Sequence, residues 1–263
     1  MSQLIQALDR GLKILDYLAE HPEGQTSLTE LTGFLEMDKS AVFRLLKTLK
    51  ARNFVVYDSG QNIYRMGPGV YRLAAASERH TPLFEIAAPF LKQINLVTNE
   101  DTHLAIRSEN SVVFLRREGS REIIGVNTQI GHREPLYCTA IGRALLANLP
   151  EPEIHAVLDA SKLVRLTPKT LVKKTALVKE LARVRAQGYA IDDEERKEGV
   201  FCIAAPVFNR RREAIASIGI SGLKARMKPK IPKFIALIQA CAQDMSAGLG
   251  LFESPTHEPA KSA

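Results

Sequence analysis

The chain has 263 residues, 45% of them hydrophobic and 25% charged, enough to bury a sizeable core; global disorder is excluded and the length favours two domains. A net charge of +7 and a pI near 9.3 invite a nucleic-acid partner, but residues 1–80 carry 10 Lys+Arg against 9 Asp+Glu, so most of the excess lies later, in Arg210-Arg211-Arg212 and around Arg226, Lys228, Lys230 and Lys233. No apolar run is long enough to span a bilayer and the N-terminus does not read as a signal peptide, so a cytoplasmic protein without a membrane partner is expected.

Leu8, Leu12, Leu15 and Ala19 recur at helical spacing, with Leu18 on the flank, predicting an amphipathic helix from about Gln3 to Glu20 that His21-Pro22-Glu23-Gly24 stops. Ser27-Leu28-Thr29-Glu30 has the form of a capping box and opens a short helix to Leu35. After a turn at Glu36-Met37, Asp38 is placed to cap a third helix, where Val42, Leu45, Leu46 and Leu49 form one apolar stripe. Phe54 to Tyr57 and Ile63 to Met66, separated by a polar turn, predict a two-stranded hairpin. Three helices and a hairpin in this order make a winged helix-turn-helix over residues 1–66. Gly67-Pro68-Gly69 breaks the chain, and a helix from Val70 to about Arg79, ended by His80-Thr81-Pro82, reads as a linker over 67–81.

A second domain is expected over 82–252. Leu83 to Val97, Thr139 to Ala147, Glu151 to Asp159, Thr170 to Gln187 and Ile231 to Leu251 read as helices. Thr102 to Arg107, Ser111 to Arg117, Tyr189 to Ile191, Phe201 to Phe208 and Ala214 to Ser221 read as strands. The fold class is α+β with a mainly antiparallel sheet. The tail, 253–263, is expected to be disordered.

The third helix carries the clearest chemistry. With its apolar stripe inward, it presents Lys39, Ser40, Phe43, Arg44, Lys47 and Lys50 outward, a surface that suits the major groove of double-stranded DNA. Ser40 can donate to a phosphate or a base, and Arg44 can make the bidentate contact that guanine favours. Lys47 and Lys50 lie further along and suit phosphates, while Arg65 on the hairpin can touch the backbone or the minor groove. A basic helix face can also be merely solvated. The order of capping box, short helix, tight turn, basic helix and hairpin favours DNA.

At these residues the chain resembles the IclR-type transcriptional regulators. The resemblance rests on Leu28 to Leu31, Asp38 to Leu49 and Tyr64 to Gly67, then on Pro135 to Ala147, Gly188 to Glu195, Gly199 to Phe208 and Ile218 to Gly222. It implies a winged helix-turn-helix joined by a linker helix to a GAF-like effector-binding domain, a homodimer or homotetramer, and operator binding controlled by a small carboxylate or aromatic acid. It also implies an effector pocket drawing on Ala140, Ile141, Asp192, Cys202, Gly219 and Ser221, although Gly219 stands where some members place a second hydroxyl. Phe43 replaces a polar or smaller aromatic residue and can meet a thymine methyl.

Physical reading of the same segments leaves alternatives open. Thr139 can cap a helix whose first N–H groups favour an anion, or Ala140 and Gly142 can simply permit close helix–sheet packing. Asp192-Asp193-Glu194-Glu195 can be a metal cluster or, as four acids in a row usually are, a solvated turn, from which Asp192 is best placed to turn inward. Ser221 sits at a strand end, where its hydroxyl can reach a ligand oxygen. Ile123, Val126, Ile141 and Phe201 hint at a partly apolar pocket. Cys138, Cys202 and Cys241 are far from any metal-ligand spacing and read as free thiols; no metal, cofactor or catalytic residue is assigned. The rivals to a ligand-controlled regulator are an enzyme using Cys138 or Cys202 as nucleophile, a nucleotide sensor, and a DNA binder without an effector.

Overall fold

The computed structural model describes residues 4–79, 82–126 and 128–252. The chain divides into two compact units, Met1–Thr81 and Pro82–Ala263. The tail expected to be disordered lies outside the described residues.

In the first unit, α1 (Gln6–Glu20), β1 (Gln25–Ser27), α2 (Leu28–Leu35), α3 (Lys39–Ala51), β2 (Val55–Asp58), β3 (Ile63–Met66) and α4 (Pro68–Arg79) follow one another. Ile14, Leu18, Leu31, Val42, Leu46, Val55 and Tyr64 form its core. The expected stripe on α1 is therefore displaced: Leu8 and Leu12 are exposed, and the helix packs instead through Ile14 and Leu18, about 100° round its axis. The capping box is complete, since Glu30 N–H donates to Ser27 Oγ at 3.2 Å and Ser27 N–H to Glu30 Oε2 at 2.8 Å. Asp38 holds the N-cap position of α3 in extended geometry, but its side chain makes no capping bond. The expected hairpin is the larger part of an antiparallel three-stranded sheet ordered β1-β3-β2. Strand β1 is too short for an alternation to show in the sequence.

Gly67 and Pro68 were expected to break the chain, yet α4 begins at Pro68, whose fixed φ and missing N–H suit a first helical turn. Gly67 and Gly69 lie against Asn53, where an added Cβ would stand 2.3 and 2.8 Å from the Asn53 carbonyl oxygen. The two glycines let the start of α4 lean on the end of the α3–β2 turn, with Gly67 N–H donating to Phe54 O and Gly69 N–H to Asn53 O.

The second unit is a six-stranded antiparallel sheet between two helical layers. Its elements are α5 (Pro82–Thr98), β4 (Asp101–Ser108), β5 (Ser111–Glu118), β6 (Arg133–Pro135), α6 (Ala140–Leu146), α7 (Glu151–Ala160), α8 (Lys174–Gln187), β7 (Ala190–Asp193), β8 (Val200–Phe208), β9 (Ala214–Leu223), α9 (Lys224–Met227), a 3-10 turn (Lys228–Lys230) and α10 (Ile231–Phe252). Strands run in the order β6-β5-β4-β9-β8-β7. Alternation sorts the two faces: Phe201, Ile203, Ala205 and Val207 meet α5 and α10, whereas Cys202 and Ala204 meet the α6 layer. Helix α8 starts at Lys174, four residues later than expected. Thr170, predicted to open it, instead donates its hydroxyl to Glu195 O at 2.6 Å and accepts from Thr167 N–H at 2.9 Å. The short elements β6 and α9 carried no periodicity to read. Among the described residues no helix is long and apolar enough to cross a membrane.

Candidate functional site

Two surfaces gather the residues singled out above. In the first unit, α3 leaves Lys39, Ser40, Arg44 and Lys47 exposed and Phe43 half exposed. Among the described residues Lys39, Arg44 and Lys47 have no ion-pair partner, so their charge is free for an outside anion. Lys50 lies 5.7 Å from the Tyr57 ring centroid. Arg65 differs from these. Its Nε donates to Gln25 Oε1 at 3.1 Å and its Nη2 to Gln61 Oε1 at 2.9 Å, with Asp58 3.7 Å away, so the guanidinium is held on the hairpin by three neighbours. A groove of about 700 Å³ runs between α2, α3 and the hairpin and includes Thr29, Phe43, Lys47, Tyr57 and Asn62. Thr29, Tyr57 and Asn62 were not singled out in the sequence; their place in the groove depends on how the hairpin packs on α3.

In the second unit, a cavity of about 850 Å³ opens on the α6 face of the sheet. Val126, Ala140, Ile141, Asp192, Cys202 and Ser221 line it together, although they come from five separate elements or loops. Ile123 does not: it is fully exposed, and Ile124, its neighbour in the 119–132 segment, lines the cavity instead. Arg226 Nη1 donates to Ile124 O at 2.9 Å and holds that part of the segment in place. Phe201 faces α5 and α10, because the strand that turns Cys202 inward must turn Phe201 outward. Gly219 is not among the lining residues. It lies in the sheet between His103 and Ala204, and with no side chain it reaches nothing; a Cβ there would stand 2.9 Å from Ile203 O.

The start of α6 shows both roles proposed for its small residues. Thr139 caps it, accepting from Gly142 N–H at 3.1 Å while donating to Pro135 O at 2.9 Å. Gly142 serves packing, since a Cβ would stand 2.6 Å from Leu136 O. Ala140 and Ile141 line the cavity, and among the described residues their N–H groups make no hydrogen bond.

Asp192 is buried. Its Oδ1 accepts from Glu195 N–H at 2.7 Å and Arg196 N–H at 3.3 Å, and burial pushes its carboxyl up to about 7. Of the four acids in its run, Glu195 also turns inward, contrary to the reading of a solvated turn. It forms a bidentate pair with the buried Arg143, whose Nε donates to Tyr137 O at 2.7 Å. Asp193 and Glu194 stay near the surface and pair with Lys224, each at 2.6 Å. At the cavity wall Arg196 is paired with Glu134 through two bonds of 2.5 and 3.1 Å.

His103, on β4, is among the lining residues that sequence reading missed. Its Nε2 lies 3.3 Å from Ser221 Oγ, and Ser221 Oγ lies 3.1 Å from Cys202 Sγ. The imidazole is buried edge-to-face against Phe114, and among the described residues its Nδ1 has no hydrogen-bond partner. Burial, reinforced by the nearby Arg117, pulls its pKa down to about 4, so the ring is neutral near pH 7. The signal was present in principle: His103 is a polar residue on the same strand face as the buried Ala105. All three cysteines are free; burial pushes Cys138 up to about 12 and Cys202 well above the ordinary thiol range.

Both units match known proteins. Residues 7–59 match the IclR helix-turn-helix domain, and residues 75–247 match the bacterial transcriptional regulator IclR C-terminal domain. The chain is 35% identical over 249 residues to the HTH-type transcriptional repressor AllR of Salmonella typhi, covering 94% of this chain and 90% of that one. It is similar to the crystal structure of the Thermotoga maritima IclR, with a TM-score of 0.75 and 27% identity over 94% of this chain and all of that one. It shares the fold of an IclR homologue from Microbacterium hydrocarbonoxydans solved with 4-hydroxybenzoate, with a TM-score of 0.82 and 19% identity over 92% of this chain and 98% of that one. A DNA-binding helix-turn-helix unit followed by an effector-binding unit, matched over most of the chain, places this protein in the IclR family of bacterial transcriptional regulators.

Proposed function

We propose that the protein is a transcriptional repressor whose operator affinity is set by a small organic acid bound in the 850 Å³ cavity. One observation carries the reading: Asp192, Cys202, Ser221 and the first residues of α6 converge on one cavity in the effector-binding unit of a DNA-binding regulator. The relatives named as repressors support the sign of regulation, and the Microbacterium protein supports an acid as the ligand. Lys39, Ser40, Phe43, Arg44 and Lys47 contact the operator, and Arg65 contacts it from the hairpin. Ile124, Val126, Ala140, Ile141, Asp192, Cys202 and Ser221 contact the acid. The acid favours one arrangement of the effector units in a homodimer or homotetramer and so changes the spacing of two winged helices on half-sites of fixed helical phase. The exposed apolar residues Leu4, Ile5, Leu8 and Leu12 at the start of the first unit offer a second copy a surface to cover.

The chemistry of the cavity favours binding over catalysis. Ser221 and His103 are within reach of a nucleophile–base pair, but among the described residues no third group orients the imidazole through Nδ1. The thiols of Cys138 and Cys202 are held protonated, which withholds the thiolate a cysteine nucleophile needs.

The test is fluorescence-polarisation binding to the DNA upstream of the protein's own gene, with and without glyoxylate, gluconate and 4-hydroxybenzoate. Salt-sensitive binding that one acid weakens severalfold is expected. Binding no tighter than to random DNA removes the operator reading, and indifference to every acid removes the effector reading.

A further inference from the structure

The buried histidine beside Ser221 poses a question of hydrogen-bond accounting. Ser221 Oγ carries one proton and has two neighbours within reach, His103 Nε2 at 3.3 Å and Cys202 Sγ at 3.1 Å. A neutral imidazole has one N–H and one lone pair. If the proton sat on Nδ1, a buried N–H would have no acceptor among the described residues, where Nδ1 has no partner. If it sits on Nε2, that N–H is satisfied by Ser221 Oγ and only a lone pair is left over. Orphaned buried N–H donors are rarer than under-used acceptors, so the Nε2–H form wins.

The consequence reaches the ligand. With His103 donating to Ser221 Oγ, the serine must direct its own proton elsewhere. Among the described residues the acceptor left for it is Cys202 Sγ, and a neutral thiol is a weak acceptor. A ligand oxygen outcompetes it at little cost. Gly219, paired with both His103 and Ala204, adds no side chain beside this chain of groups.

We propose that His103 is a positioning residue for effector recognition: as a neutral Nε2–H donor it turns the Ser221 hydroxyl into a donor aimed at an oxygen of the bound acid. This rests on the effector reading of the cavity. It assigns to one buried imidazole a bias toward a ligand that presents a hydrogen-bond acceptor to Ser221 over one that presents only a donor. Carboxylates are of the first kind. Amides turned N–H first and ammonium groups are of the second.

The experiment has two arms on the full-length protein. In the first, the ligand-free protein labelled with ¹⁵N-histidine is examined by NMR at pH 7, with the His103 signals assigned by their loss in H103Q. A neutral ring with its proton on Nε2 is expected; a proton on Nδ1, or an imidazolium, overturns the proposal whatever the ligand does. In the second, calorimetric affinities for glyoxylate and 4-hydroxybenzoate are compared across H103Q, H103N, H103L and S221A. The glutamine amide reaches the place of Nε2, whereas the asparagine amide stops near Nδ1. H103Q is expected to restore binding to within about threefold of the parent, while H103N and H103L each lose about tenfold. The H103L/S221A double variant should bind no more weakly than S221A, because both changes remove one donor. Additive losses, or H103Q as weak as H103L, overturn the positioning role; melting temperatures of the soluble variants separate it from lost stability. If H103L does not fold, H103Q against H103N decides. A parent protein that binds neither acid sinks the cavity reading itself, whereas acid binding indifferent to His103 sinks only this assignment.

Discussion

On α3 the groups proposed to meet DNA stand in water. Lys39, Arg44 and Lys47 are exposed and, among the described residues, unpaired, so nothing in the unit depends on them. In the effector cavity the corresponding groups are committed. Asp192 holds two backbone N–H groups, Ser221 stands between His103 and Cys202, and the neighbouring Glu195 is locked to Arg143. The difference fits the role proposed for each surface. A phosphate backbone is met by mobile solvated cations that shed counterions. A small acid is met by groups fixed beforehand in a dry site, where every unsatisfied atom costs free energy. Substitutions on α3 should therefore act on binding alone, and substitutions around the cavity on stability and binding together.

The sharpest way to break this contrast is Arg143→Ala. It leaves Glu195 buried without its guanidinium partner, and a loss of about 3–5 kcal/mol is expected in urea unfolding. A loss below about 1 kcal/mol would mean that water reaches Glu195 and that this pair beside the cavity is far less committed than its contacts imply. Arg44→Ala should leave unfolding unchanged but cost about 1–3 kcal/mol on the cognate operator and less on random DNA. Equal losses on both would reduce Arg44 to a phosphate contact.

The pH dependence of stability separates the two buried titratable groups of the cavity. Asp192 is raised to about 7 when folded, so from pH 4 to 7 the native state holds more protons and Asp192 makes stability fall as pH rises. His103 is lowered to about 4, so from about pH 4 to its ordinary 6.5 the unfolded state holds more protons and His103 makes stability rise. The two slopes oppose each other in the parent protein. Relative to it, D192N should gain stability with rising pH and H103Q should lose it, read by urea midpoints from pH 4 to 7.5. Parallel profiles for all three proteins would show that neither group is buried as described. The smallest effect belongs to the first unit: Ser27→Ala removes one half of the capping box and should cost about 1 kcal/mol, a modest drop in melting temperature. No change at all would mean that water replaces the cap.

Legibility in the sequence follows the same division. The outward face of α3 was readable because 3.6-residue periodicity places Val42 and Leu46 inside and therefore Phe43, Arg44 and Lys47 outside, within a single element. The same rule misled on α1, where more than one apolar stripe was available and contact with α3 and β3 selected Ile14 and Leu18 over Leu8 and Leu12. In the cavity, resemblance rather than periodicity pointed to Asp192, Cys202 and Ser221. The apolar hint that named Ile123 was wrong, because its loop has no period to fix which side chain turns in, and Ile124 is the one that does.

By itself the sequence determined the local facts: the element types, the capping box, the basic helix face and the antiparallel alternation, all set by interactions between residues a few positions apart. Tertiary structure alone decided the pairings of residues far apart in the chain. The strand register sets His103 beside Gly219 and Ser221 opposite Cys202, and the packing of α6 brings Arg143 to Glu195. One residue of slip in any of those strands would turn its pocket side chains to the other face of the sheet, so the chemistry of the cavity depends on a register that no local pattern specifies.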